Sequence, residues 1–98
     1  MSKLLTEDEI QKKLTEIKGW ERQGNEIKKK FKLEDFVSAL IFVNKVGELA
    51  ESMNHHPDIF IHGYKFVTLT LTTHSTGGLT RMDFDLAKKI DAQILTGT

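Results

Sequence analysis

The chain has 98 residues, 39% of them hydrophobic and 29% charged, which predicts one domain spanning residues 1–98 with one core rather than a disordered chain. Fourteen Lys and Arg balance 14 Asp and Glu, so no overall basic field favours direct nucleic-acid binding. There is no cysteine for disulfide or thiolate chemistry, no apolar run near the ~20 residues of a membrane span, and no signal-peptide core in MSKLLTEDEI, so a soluble cytoplasmic protein away from the membrane is expected.

Thr6-Glu7-Asp8-Glu9 has the T-x-x-E form of a capping box, with Leu5 placed as a hydrophobic staple. Ile10, Leu14 and Ile17 follow at helical spacing, and Gly19 can end that helix. Trp20 to Gln23 reads as a short strand and Gly24-Asn25 as a turn. From Glu26 to Leu33, the shared parity of Ile27, Phe31 and Leu33 predicts a second strand paired with the first as a hairpin. Within it, Lys28-Lys29-Lys30 is either a solvated strand or turn edge or a phosphate contact.

Phe36, Leu40, Val43 and Gly47 fall on one helical face, with Val37, Ile41 and Ala50 beside it. They predict a long helix from about Glu34 to Met53, stopping near Asn54 because residues ahead of Pro57 avoid the helical region. Ile59 to His62 and Tyr64 to His74 are then strands split by Gly63. Val67, Leu69 and Leu71 point one way, towards a helix-covered core. Tyr64, Phe66, Thr68, Thr70, Thr72 and His74 point the other. That second set is too rich in threonine for a dry core and too poor in charge for a free surface. A pocket wall, a half-wet interface or a partner sheet fits it. Ser75-Thr76-Gly77-Gly78 is a loop, and Thr80 through Asp83 can cap a last helix carrying Leu86, Ile90 and Ile94.

The order helix, two strands, helix, two strands, helix predicts an α+β fold: a four-stranded antiparallel sheet with three helices packed on one face. The bare face and the sheet edges then need an explanation, and self-association through an edge strand supplies one.

Residues 51–58, ESMNHHPD, hold two of the four histidines just ahead of the only proline. On a helix His55 and His56 would lie about 100° apart; in an extended loop they point to opposite sides. One reading sets a histidine against the carbonyls of a helix C-terminus. The other is general acid–base work, in which a pair divides the roles of proton donor and acceptor. His74, just before the glycine loop, is either a surface residue or a third member of such a set. His62, beside Gly63, is expected to be exposed at a hairpin turn. There is no H-E-x-x-H, no H-x-H and no cysteine, so no metal ligand is assigned; only convergence of three histidines would make a zinc site. Ser52 and Ser75 lie near histidines but on no nucleophile-elbow motif.

Glu51, then His55-His56-Pro57, then Tyr64, His74 and Asp83 together closely resemble the pterin-4a-carbinolamine dehydratase family. Gly19-Trp20, Phe31, Asp35-Phe36, the run Thr70 to His74 and Gly78-Leu79 also match family positions, so the likeness runs from about Leu4 to Ile94. The resemblance implies the same α+β fold, assembled as a homodimer or, as in animal members, a homotetramer. It implies dehydration of 4a-hydroxytetrahydropterin (4a-hydroxytetrahydrobiopterin) to quinonoid dihydropterin and water, in tetrahydrobiopterin recycling, with no metal or organic cofactor. It implies His55, His56 and His74 as catalytic residues. His55 and His74 would lie close to the reacting centre, while His56 binds or polarises the substrate or shares the proton work.

The resemblance carries three more residues. Asp83 orients a histidine or holds the pterin edge, unless it only caps the last helix. Trp20 packs beside the pterin, unless it is core. Glu51 holds His55 from one helical turn away, unless it makes a plain surface pair. Two departures stand out: Asn54 occupies a position where animal members have aspartate, and DIFIHG at 58–63 is one residue longer than theirs. Animal members also serve as dimerisation cofactors of a homeodomain transcription factor. A non-enzymatic adaptor on this scaffold is therefore the alternative function, beside a dehydratase-like protein acting on another pterin.

Overall fold

A computed structural model describes residues 3–97 of the chain, with side chains described as far as Gln93. Each helix begins where a short side chain can accept from the unpaired N–H groups of a first turn. Thr6 accepts from the Glu9 amide at 3.2 Å and Glu9 Oε1 accepts from the Thr6 amide at 2.8 Å, completing the predicted capping box. It opens α1, Glu7–Leu14. The helix ends before Ile17, and a turn through Gly19, at φ +84°, reverses the chain; Ile17 is buried from that turn.

The strands β1 (Glu21–Gln23), β2 (Glu26–Lys32), β3 (Asp58–His62) and β4 (Phe66–Leu71) form one antiparallel sheet in the order β1-β2-β4-β3. Between them come α2 (Phe36–Met53), capped by Asp35 on the Ser38 amide at 2.8 Å, and finally α3 (Arg81–Gly97). The fold is the α+β arrangement predicted, three helices and a four-stranded antiparallel sheet in the same order. Val67, Leu69 and Leu71 are fully buried, as their parity requires, among Ile27, Phe42 and Phe84. Among the described residues no helix is long and apolar enough to cross a membrane. The predicted Ile94 contact lies outside the described side chains.

The stripe that marks α2 in the sequence is not its core face. Ala39, Phe42, Val46 and Ala50 turn inward. Phe36, Val37, Leu40 and Ile41 face outward, with Val37 63% and Phe36 48% exposed.

Lysines of the Lys28–Lys30 run divide by parity. Lys29 points inward over the Trp20 and Phe31 rings, and its Nζ donates to Asp91 Oδ1 at 3.0 Å and to the Lys18 carbonyl at 2.9 Å. Lys28 and Lys30 lie on the open face, paired with Thr70 and Thr68.

The β3–β4 turn corrects two expectations. Gly63 and Tyr64 both have positive φ, 53° and 54°, inside a three-residue loop, Gly63 to Lys65, between the paired His62 and Phe66, so β4 starts at Phe66 rather than Tyr64. His62 is not exposed at the turn. It is half-buried on β3, stacked with Phe60 and Phe66, with Nε2 2.9 Å from Thr68 Oγ1.

Candidate active site

The site begins at the end of α2, where the chain must leave the helix ahead of Pro57. Asn54 takes the left-handed conformation (φ 50°, ψ 43°) that asparagine tolerates better than most residues. Its amide donates to the Ala50 and Glu51 carbonyls, and the His55 amide donates to the Ala50 carbonyl at 3.0 Å. This six-to-one closure ends the helix in one residue. The next two side chains then diverge: His55 is buried and His56 exposed. Asn54 therefore sits at the hinge that aims His55.

Asp83, on the first turn of α3, is fully buried. Oδ1 lies 2.6 Å from His55 Nε2. Oδ2 accepts from the Thr80 amide and from Thr73 Oγ1, each at 2.9 Å. One oxygen thus caps α3 while the other holds an imidazole, so the two sequence readings of Asp83 describe two atoms of one group.

Proton directions follow from the donor inventory, since each hydroxyl has one proton. Thr73 gives its proton to Asp83. The Thr73–Thr80 hydroxyl contact, 2.8 Å, must therefore be donated by Thr80. Thr80 Oγ1 in turn accepts from the Met82 amide at 3.2 Å. The chain runs one way, from backbone amide through two hydroxyls to the carboxylate. A carboxylate collecting these donors assigns the proton of the His55 contact to Nε2, which leaves Nδ1 as the nitrogen available for chemistry.

His74 follows Thr73 directly. Its loop is tied at both ends by the Thr73 and Gly78 backbones, which pair at 3.0 and 3.3 Å, and Gly77 at φ +79° makes the turn. The His74 side chain is exposed. It is therefore one peptide unit, ~3.8 Å along the chain, from a residue bonded to Asp83. The fold brings His55, Asp83 and the His74 loop to one end of the sheet. His56 stands apart on the surface, its Nε2 2.5 Å from Glu51 Oε2. Glu51 pairs with His56 and not with His55, because the left-handed residue at 54 breaks the helical spacing on which an i, i+4 contact depends. Trp20 is buried against Phe31, and its Nε1 donates to both oxygens of Asp91 at 3.2 and 3.1 Å. Asp91 is eight residues beyond Asp83 on α3, ~12 Å along the axis. The structure thus sets Trp20 in the core.

Sequence reasoning named Thr80 only as a helix cap and missed Thr73. The signal was present: Thr73 continues the parity of Val67, Leu69 and Leu71, so a hydroxyl was aimed at the core and needed a partner. Among the described residues no three histidine, aspartate or glutamate side chains converge as a metal site needs.

Comparison with known proteins covers the stretch of chain that holds these residues. The family model for pterin 4 alpha carbinolamine dehydratase matches residues 3–93. A protein of Roseiflexus sp. (strain RS-1), provisionally named a pterin-4-alpha-carbinolamine dehydratase, is 55% identical over 93% of this chain and 97% of its own. One of Sulfurisphaera tokodaii with the same provisional name is 52% identical over 96% and 99%. Among solved structures, a transcriptional coactivator/pterin dehydratase from Brucella melitensis superposes with a TM-score of 0.85 at 37% identity, covering 90% of this chain and 95% of that one. A pterin dehydratase-like protein described as a RuBisCO assembly factor of the alpha-carboxysome shares the fold, with a TM-score of 0.59 at 22% identity over 74% and 83%.

Proposed function

Because the chain belongs to the pterin 4 alpha carbinolamine dehydratase family, we propose that it is a hydro-lyase that dehydrates 4a-hydroxytetrahydropterin, 4a-hydroxytetrahydrobiopterin in the first instance, to quinonoid dihydropterin. In this substrate a hydroxyl and a ring N–H sit on adjacent atoms. The C–O bond breaks as a proton reaches the leaving oxygen. The N–H bond breaks as its electron pair forms the C=N bond, and one water departs. The reaction needs one proton donor and one acceptor, each contributing roughly 10²- to 10⁴-fold when well placed.

The observation that carries the reading is the buried His55–Asp83 contact, 2.6 Å long. It fixes the ring and its tautomer, which favours His55 Nδ1 as the acceptor of the substrate N–H proton. His74, exposed on a tied loop at the same end of the sheet, then supplies the proton to the leaving hydroxyl. His56 and Glu51 form a hydrogen-bonded surface pair suited to holding the substrate's polar edge. This chemistry asks for no cofactor, and the cysteine-free chain suits a reducing cytoplasm.

The chain works in this reading as a homodimer or homotetramer. The outward apolar stripe of α2, larger than scattered surface hydrophobics account for, supports association. The same stripe is what the second reading, a partner-binding adaptor, would use, and the Brucella melitensis protein is described as a transcriptional coactivator.

The deciding assay follows freshly generated 4a-hydroxytetrahydropterin by ultraviolet absorbance, with the uncatalysed rate subtracted. The protein should accelerate the reaction, and His55→Ala and His74→Ala should each lose most of that acceleration while remaining folded. Full activity in both variants would remove the acid–base assignment. No acceleration by folded parent protein would leave the adaptor reading.

A further inference from the structure

Three features that the dehydratase reading does not use meet on the open face of the sheet: His62, the outward lysines of β2 and the threonines of β4. The register arranges this face in rows. Glu21, Lys28, Thr70 and Asp58 make one row, with Gln23 and Glu26 beyond it. Lys30, Thr68 and Phe60 make the next, and Lys32, Phe66 and His62 the last. The carboxylates of these rows thus gather in the half near Asp58, and the two paired rows of the other half hold none among the described residues. The balanced charge of the whole chain conceals a cationic and aromatic quadrant.

In that quadrant the rings form a stack. Phe60 and His62 lie 4.7 Å apart at 17°, and His62 and Phe66 5.8 Å apart at 24°. Thr68 Oγ1, 2.9 Å from His62 Nε2, fixes the middle ring. The Phe66 end is covered by cations, with Lys30 Nζ 4.6 Å and Lys65 Nζ 5.9 Å from its centroid. The Phe60 end is open, and Phe60 is 62% exposed. A stack closed by ammonium groups at one end and open at the other suits a ligand that is planar and aromatic in one part and anionic in the next. A four-stranded sheet with aromatic side chains on its open face is also a known platform for unpaired bases.

We propose that this quadrant binds single-stranded nucleic acid, with a base continuing the stack on Phe60 and phosphates held by Lys30, Lys32 and Lys65. Charge complementarity selects the polyanion, and the ring stack selects unpaired bases over a duplex. Phe60, where the base would stack, lies two strand residues, ~7 Å, from the Asp58 end of β3 where the His55-His56-Pro57 segment enters.

The test titrates the full-length protein into a short fluorescein-labelled oligouridylate and reads polarisation from about 50 to about 200 mM salt. No pterin is present, so the outcome is independent of the dehydratase reading. Three lysine–phosphate contacts predict a log–log salt slope of about −2, and Lys32→Gln should reduce its magnitude by about 0.7. Phe60→Ala should weaken binding by roughly 5- to 150-fold, the range of one base-on-ring stack. Phe60→Tyr should retain it, Lys12→Gln on α1 should leave it unchanged, and a duplex or uridine monophosphate should bind far more weakly. Absence of binding by folded protein, indifference to Phe60→Ala or equal affinity for the duplex would overturn the proposal. So would a change of assembly mass in Phe60→Ala without oligonucleotide binding, which would give the face to a second copy of the chain.

Discussion

Replacing Asp83 by asparagine reverses a single hydrogen bond. The asparagine carbonyl must stay where Oδ2 now accepts from Thr73 and the Thr80 amide. Its NH₂ then takes the place of Oδ1, 2.6 Å from His55 Nε2. Two donors would face each other, so His55 moves its proton to Nδ1 and accepts at Nε2. A charge-assisted hydrogen bond worth about 1.5–3 kcal/mol becomes a neutral one worth about 0.5–1.5. The net loss is about 1–1.5 kcal/mol, a melting temperature lower by about 4–12 °C. Against a domain stability of about 5–15 kcal/mol the variant stays folded. Activity should suffer far more, because the protonated Nδ1 can no longer accept, and the loss is the ~10²- to 10⁴-fold of a general base. Asp83→Ala is a poor substitute: it strands three buried donors at about 1–3 kcal/mol each and threatens the fold. The measurements are the corrected dehydration rate, a thermal melt and the ¹⁵N spectrum of the His55 ring. A rate within about threefold of the parent, with the tautomer reversed, would refute the role given to Nδ1.

Asn54→Val should cost about 1–2 kcal/mol, because a branched side chain resists the left-handed turn, whereas Asn54→Gly should stay close to the parent; equal melts for Val and Asn would refute the hinge reading. Leu40→Glu and Ile41→Glu place charge on the outward face of α2 and should give monomers by light scattering without unfolding; an unchanged mass would remove that face from the interface. The Ser38 amide that Asp35 caps holds its carboxyl below the ordinary value of 3.8. This contribution is full above the unfolded value and fades as pH falls through the lower folded one. Melts from about pH 5 to about pH 2 should therefore show a smaller acid-side loss in Asp35→Asn than in the parent, and identical profiles would contradict it.

Local rules were legible wherever one interaction dominates. Thr6 and Glu9 announced their box, and the strict alternation of Val67, Leu69 and Leu71 identified the inner strand face because a strand has only two faces. The faces of α2 were harder, since two apolar stripes run along one helix. Periodicity cannot rank Phe36 and Leu40 against Ala39 and Val46 without knowing how near the sheet lies. Long-range pairing was hidden almost entirely. His55 and Asp83 are 28 residues apart, and Trp20 and Asp91 are 71. Histidine spacing drew attention to His55 but named Glu51 as its neighbour, and one left-handed residue undid that pairing.

Asp83 also binds the fate of the site to the fate of the fold. Many enzymes keep their reacting groups on lids that loosen well before the body melts. Here the oxygen that holds His55 belongs to the carboxylate that starts α3, so an imidazole set adrift means a final helix already unwinding. Heat should not inactivate this protein in an early, separate step. The Thr80 amide, which donates to the second oxygen, should exchange with solvent only as slowly as the core strands, and activity should vanish along the same curve as helicity.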